Sequence, residues 1–273
     1  MKTRVISGIV LVILALAVIL TGGYLLAAVL LFLALTAYRE LMKACKLADV
    51  EKKPGTLEII GYIGIIAYYL LVVFAETQMY LLLTLIVILV AYMFVYVFTF
   101  PKYNAQQIMC SFFCVAYAPV MLSFIYLVRD LEYGIYLVWM IFISSWVCDT
   151  CAYFSGVLLG RHKLAPVLSP KKSIEGAVGG VLGSMIVGAL YAYFIVESVI
   201  SNQQIFWIFV LISGVGAVVS QVGDLAASAI KRNHEIKDYG KLIPGHGGVM
   251  DRFDSVIFTA PMIYFLAFML IHG

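Results

Sequence analysis

Long apolar runs separated by short polar breaks dominate the chain. About 20 apolar residues carry a helix across a bilayer. Nine stretches qualify: 5–21, 24–43, 57–75, 79–100, 107–128, 134–159, 177–196, 205–223 and 255–272. The long runs lack the alternation of a barrel strand, and lipid tolerates no unpaired backbone, so each predicts a helix. The expected fold is all-α, a polytopic integral membrane protein of about nine transmembrane helices.

The polar breaks set the orientation. With a cytoplasmic N-terminus, every lysine and arginine except Arg129 falls on the cytoplasmic side, as the positive-inside rule requires. Merging or splitting spans would put whole basic loops on the wrong side. The C-terminus is then expected outside. The outward breaks, 21–23, 75–78, 129–133 and 197–204, are short. The large connections, 44–56, 160–176 and 224–254, are all expected to be cytoplasmic. Function is expected there, on the last two loops and the helix ends beside them. Residues 1–140 read as an N-terminal membrane domain of spans one to five. Residues 141–273 read as the catalytic membrane domain, with spans six to nine and loops 160–176 and 224–254.

Composition sharpens this picture. The chain of 273 residues is 64% hydrophobic and 12% charged, with mean hydropathy +1.04. Soluble domains carry about 25% charged residues. The net charge of +3 says less than where the charges fall. Lys2 and Arg4 before the first apolar run suggest a retained span, since no clear small-residue cleavage site follows before Tyr24. Cys45, Cys110, Cys114, Cys148 and Cys151 read as reduced thiols packed among helices. Cys148 and Cys151 have the spacing of a zinc or redox pair, but no second pair or nearby histidine completes it. Gly176, Gly179, Gly180, Gly183, Ser184 and Gly188 place small residues about four apart, the pattern of close helix packing in lipid. No Walker sequence occurs anywhere.

Charge gathers at one place. From Asp224 to Asp254 lie five acids and five bases, ten of the chain's 33 charged residues. If the eighth helix continues past the membrane, Asp224, Ser228, Lys231 and Arg232 fall close to one face. Asp251, Asp254 and Ser255 share a face of the ninth span. Asp149 lies within the sixth span, where a carboxylate is costly and often marks a site. Carboxylates gathered at two helix ends either share a proton or hold a cation. Oxygen donors with phosphate nearby favour magnesium. Pro244-Gly245-His246-Gly247-Gly248 forms a turn whose glycines let backbone N–H groups approach an anion. His246 suits a phosphate contact better than metal ligation, because no second histidine has ligand spacing. Ser169-Pro170-Lys171-Lys172-Ser173-Ile174-Glu175-Gly176 is a second polar loop, with two adjacent lysines, two hydroxyls and an acid before a helix. Its lysines suit a triphosphate, although attraction to anionic lipid would also explain them. His162 and His234 read as surface.

Together these residues resemble the phosphatidate cytidylyltransferases, or CDP-diacylglycerol synthases. The resemblance rests on Ser228, Lys231-Arg232, Lys237-Asp238, Pro244 to Gly248, and Asp251-Arg252-Phe253-Asp254. Gln221-Val222-Gly223-Asp224-Leu225 and the Ser169 loop also match, with Ser173 where threonine is usual. The match is strong over 145–260. Earlier, Tyr38-Arg39-Glu40-Leu41 is also family-like. The resemblance implies a magnesium-dependent enzyme that joins CTP to phosphatidate, giving CDP-diacylglycerol and pyrophosphate, and works as a homodimer. It implies Asp224 and Asp251 as metal-holding carboxylates, and Asp254 or Asp149 are expected in support, around one or two ions. Lys171, Lys172, Lys231, Arg232 and Arg252 are expected to clamp phosphates, with Lys231 and Arg252 beside the reacting centre. Ser169, Ser173, Ser228, Lys237 and the glycine loop complete the expected substrate contacts. The expected setting is the cell (inner) membrane, with the active site on the cytoplasmic face, membrane lipid as partner and no nucleic acid. A CTP-dependent polyprenol-type lipid kinase is the nearer alternative. A membrane transporter is the non-enzyme one, but transporters tend to be built from repeats, and no repeat is visible.

Overall fold

The computed structural model describes residues 13–48, 53–200, 204–242 and 247–272. Eight described helices are long and apolar enough to cross a membrane. They are α1 (Gly23–Ala44), α2 (Thr56–Phe74), α3 (Met79–Phe98), α4 (Ala105–Asp130), α5 (Gly134–Leu159), α6 (Ile174–Val196), α7 (Ile205–Asn233) and α8 (Met250–Ile271). The chain is thus an all-α, multi-pass membrane protein. The first expected span, 5–21, lies largely outside the described residues, though 13–21 is helical. Gly22 and Gly23 then break the chain with φ of 63° and 53°, a region other residues rarely adopt. Large apolar side chains stand exposed on the helices, with Phe98 and Leu158 each 79% exposed. In water such a surface would drive association; in a bilayer it meets lipid.

The chain forms two compact units, one of Met1–Tyr126 with His234–Arg252, the other of Leu127–Asn233 with Phe253–Gly273. In the first unit the hydroxyls of Tyr38 and Tyr92 lie 3.2 Å apart and each donates to the Leu57 carbonyl at 3.3 Å. Gly61 leaves room for that pair, since a Cβ there would lie 2.1 Å from the Tyr38 hydroxyl oxygen. Glu58, buried on α2, accepts from Tyr62 at 3.1 Å and faces Arg39 at 3.9 Å.

In the second unit α6 lays its glycine face on α5. A Cβ on Gly179 would lie 2.1 Å from Ser155 Oγ, one on Gly183 2.4 Å from Cys151 Sγ, and one on Gly180 2.9 Å from the Cys148 carbonyl oxygen. The glycines therefore serve helix packing, as their spacing predicts. The described cysteines are free thiols. At its middle α5 widens into a π turn over Ile143–Val147, and Ser184 Oγ of α6 donates to the Ile143 carbonyl there at 3.1 Å.

Two sequence expectations need correction. The 160–176 connection is not plain loop: β1 (Lys163–Ala165) pairs antiparallel with β2 (Ser169–Ser173). Nor is 224–254 one long loop. α7 runs on to Asn233 and α8 begins at Met250, so the true connection is 234–249. Hydropathy ends a helix where the apolar run ends. Backbone hydrogen bonding carries it on through polar residues outside the bilayer.

Candidate active site

The second unit contains a cavity of about 460 Å³, within the usual range for small-molecule sites. The β1–β2 hairpin supplies one wall through Leu164, Ser169, Lys171 and Lys172; α5 supplies Asp149, Tyr153 and Val157; α7 supplies Gln221 and Asp224. The hairpin is held by the first turn of α6. There the Glu175 carboxylate accepts the N–H of Arg161 at 3.0 Å and of His162 at 3.2 Å, and meets His162 Nδ1 at 2.6 Å. Ser173 Oγ accepts the Gly176 N–H at 3.1 Å and so caps α6. This hydroxyl, expected at the substrate, has a structural role as well. Glu175→Ala should loosen the hairpin, and faster proteolysis at 161–171 than in wild type would show it. An unchanged cleavage rate would mean that strand pairing alone holds it.

The acids of this unit gather through specific contacts. Gly223 presses α7 onto α8, since a Cβ there would lie 2.9 Å from both the Asp254 carbonyl oxygen and Phe258 Cβ. Gln221 ties α7 to α6 by donating to the Ala177 carbonyl at 2.9 Å. Asp224 forms an ion pair with Lys172 of β2. Ser255 Oγ stands 3.3 Å from Asp149 Oδ2 and 3.4 Å from Asp254 Oδ1, so one hydroxyl bridges carboxylates from α5 and α8. Asp224 lies within electrostatic reach of both Asp149 and Asp254, and Lys231 within reach of Asp254. Ser228, Lys231 and Arg232 follow Asp224 on the same helix, as expected if α7 continued.

The first unit holds the remaining expected residues. Asp251 Oδ2 accepts the N–H of Tyr239 at 2.8 Å and of Gly248 at 2.9 Å, closing the 234–249 connection on itself. A Cβ on Gly247, at φ 85°, would lie 2.8 Å from that oxygen. Lys237 and Arg252 are exposed. Gly245 and His246 lie outside the described residues.

Among the described residues no three acidic, histidine or cysteine side chains stand together as a ready metal-ligand set. The donors nonetheless suit a hard cation. Asp149, Asp224 and Asp254 offer carboxylate oxygens next to basic groups. The Lys172 ammonium already neutralises Asp224. Chemically, the cavity sets cations able to hold phosphate against carboxylates able to hold a metal, with apolar Tyr153 and Val157, each 67% exposed, on the α5 wall.

Sequence reasoning counted Glu175 among the polar residues of a triphosphate loop, and missed both its hold on the hairpin and the Ser255 bridge. Each was visible only as a polar residue next to a helix end, and its partners lie elsewhere in the chain. Glu40, noted only for its sequence context, proves to be buried on α1 with both oxygens engaged.

The chain is similar along nearly its whole length to known proteins. The phosphatidate cytidylyltransferase of Staphylococcus saprophyticus is 33% identical over 270 residues, covering 97% of this chain and 98% of the relative. Those of Staphylococcus haemolyticus and Staphylococcus aureus are each 34% identical over 270 residues, with the same coverage. The model of the cytidylyltransferase family matches residues 2–270. A match that runs through both units, and takes in the hairpin, Asp224 of α7 and the 234–249 connection, makes this chain a member of the cytidylyltransferase family.

Proposed function

We propose that this protein converts CTP and phosphatidate to CDP-diacylglycerol and pyrophosphate. The observation that carries the proposal is the cavity of the second unit, where Lys171 and Lys172 of β2 line the same space as Asp149 of α5 and Asp224 of α7. A soluble nucleotide and a lipid anion can meet only at a membrane boundary. A phosphatidate phosphate oxygen attacks the α phosphorus of CTP in line. The bond from that phosphorus to the bridging oxygen breaks, and pyrophosphate leaves with the electron pair. No protein nucleophile is required. Lys171, Lys172, Lys231, Arg232 and Arg252 screen the repulsion between the two anions and stabilise charge on the departing oxygens. Ser169, Ser228, Lys237 and the glycine loop around Gly245 to Gly248 seat the triphosphate. Asp149, Asp224, Asp251 and Asp254 are the carboxylates that would hold magnesium. When bound, that ion would neutralise phosphate charge and orient the reacting oxygens. The Tyr153 and Val157 side of the cavity suits the acyl chains of phosphatidate.

The finer organisation belongs to the same proposal. The expected span 5–21 completes nine crossings, the N-terminus and active site face the cytoplasm, the C-terminus faces outward, and the protein works as a homodimer in the cell membrane. The basic residues support this orientation.

The test is a magnesium-dependent assay on purified protein with CTP labelled in the α phosphate and phosphatidate in detergent micelles. Label in the lipid together with released pyrophosphate is expected. Release of CDP would identify a lipid kinase instead. Ser255→Ala, which unbridges Asp149 and Asp254, should lower turnover about tenfold in this assay, in the range for groups that orient charged ligands.

A further inference from the structure

We infer that Glu40 of α1 is a positioning residue for the active site, acting through the backbone that leads into α8. The inference rests on the proposed reading of Gly247, Gly248 and Asp251 as substrate- and metal-binding residues. Glu40 is only 6% exposed, on a helix whose other buried residues are almost all apolar. Its Oε1 accepts the Val249 N–H at 3.0 Å and its Oε2 the Met250 N–H at 2.9 Å. These amides open α8, where no intrahelical partner exists for them and a carboxylate is favoured by the helix dipole.

Two glycines close around the same carboxylate. A Cβ on Gly240 would lie 2.2 Å from Glu40 Oε1, and one on Gly248 2.3 Å from it. Backbone from both ends of the connection is thereby packed against one side chain. Asp251, one residue past Met250, completes the arrangement by taking the Tyr239 and Gly248 amides. Two carboxylates thus receive four N–H groups from Tyr239 and Gly248–Met250. Asp251 cannot shift without disturbing the amides that Glu40 holds. Glu40 touches no substrate in this scheme. It fixes where Gly248 and Asp251 stand.

The test uses the full-length protein in detergent, as wild type, Glu40→Ala and Glu40→Gln. Gln keeps the shape but carries one acceptor oxygen in place of two. Hydrogen exchange of peptides covering 247–252 reads the clamp directly. Exchange about tenfold or more faster is expected in Glu40→Ala and an intermediate change in Glu40→Gln, since local opening sets exchange. Kinetics read the positioning. The KM for CTP should rise about tenfold or more in Glu40→Ala, as when a supporting contact to a charged site is lost, with the KM for phosphatidate changing far less. Loss of folded protein alone would lower kcat and leave the KM for CTP unchanged. Faster exchange with an unchanged KM for CTP would overturn the positioning role, leaving Glu40 a structural group. Unchanged exchange would overturn the clamp itself. If wild type fails to turn over CTP with phosphatidate, the proposed function falls, and exchange alone then decides the clamp.

Discussion

Asp224→Asn is expected to lower CDP-diacylglycerol formation by about three orders of magnitude, as for loss of a central electrostatic group. The protein should still insert and elute as wild type does. Asparagine keeps the shape of the side chain and the α7 backbone, so the contact between Gly223 and α8 survives. What is lost is the charge. Lys172 loses its partner, and the acid group shared with Asp149 and Asp254 loses its member on α7. Pairing with Lys172 is the competing explanation, and a double variant separates the two. If pairing were all, Asp224→Asn in a Lys172→Met background would cost nothing further. If Asp224 serves the reaction, the large loss persists in that background. Recovery of activity in the double variant would reduce Asp224 to a structural counter-ion.

Gly180→Val should be strongly damaging although it lies outside the polar site. The added Cβ would lie 2.9 Å from the Cys148 carbonyl oxygen and 3.0 Å from Ala152 Cβ. Backbone cannot rotate away as a side chain can, so α5 and α6 must separate. Overpacking of this kind costs about 1–3 kcal/mol or more, and lipid offers no hydrophobic drive to restore the pair. The cavity lies between these helices and would open with them. Heating in detergent followed by size-exclusion chromatography should show a clearly lower midpoint than wild type. Gly183→Ala should lower the midpoint as well, because its new Cβ would lie 2.6 Å from Cys151 Cβ, an atom that no side-chain rotation moves. Equal stability of Gly180→Val and wild type would mean that the helices do not touch there.

Much of this was legible in the sequence. Hydropathy located the eight described helices, because the bilayer sets a minimum length for each, but it ended α7 at 223 where the helix runs to Asn233. The glycine spacing foretold the close contact of α5 and α6. The offsets of Asp224, Ser228, Lys231 and Arg232 foretold a shared helix. What escaped notice has physical causes. The β1–β2 hairpin is short, and its strand Ser169–Ser173 reads as a basic loop. Its order comes from Glu175, a contact that no periodicity encodes. Asp251 reads as a metal ligand by its type, yet its Oδ2 also receives two backbone amides. Glu40 was visible as a charge in an oily stretch. Its partners lie 209 and 210 positions away, beyond the reach of any local pattern.

That separation bears on biogenesis. Ribosomes deliver Glu40 well before Val249 and Met250, so for a time the nascent chain carries an acid whose amide donors do not yet exist. Such a carboxylate near a membrane boundary is costly to bury, and α1 can settle fully only after the opening of α8 has been made. Fragments cut anywhere between these segments should therefore assemble poorly unless both pieces are present, which makes complementation of split chains a measure of when the enzyme matures.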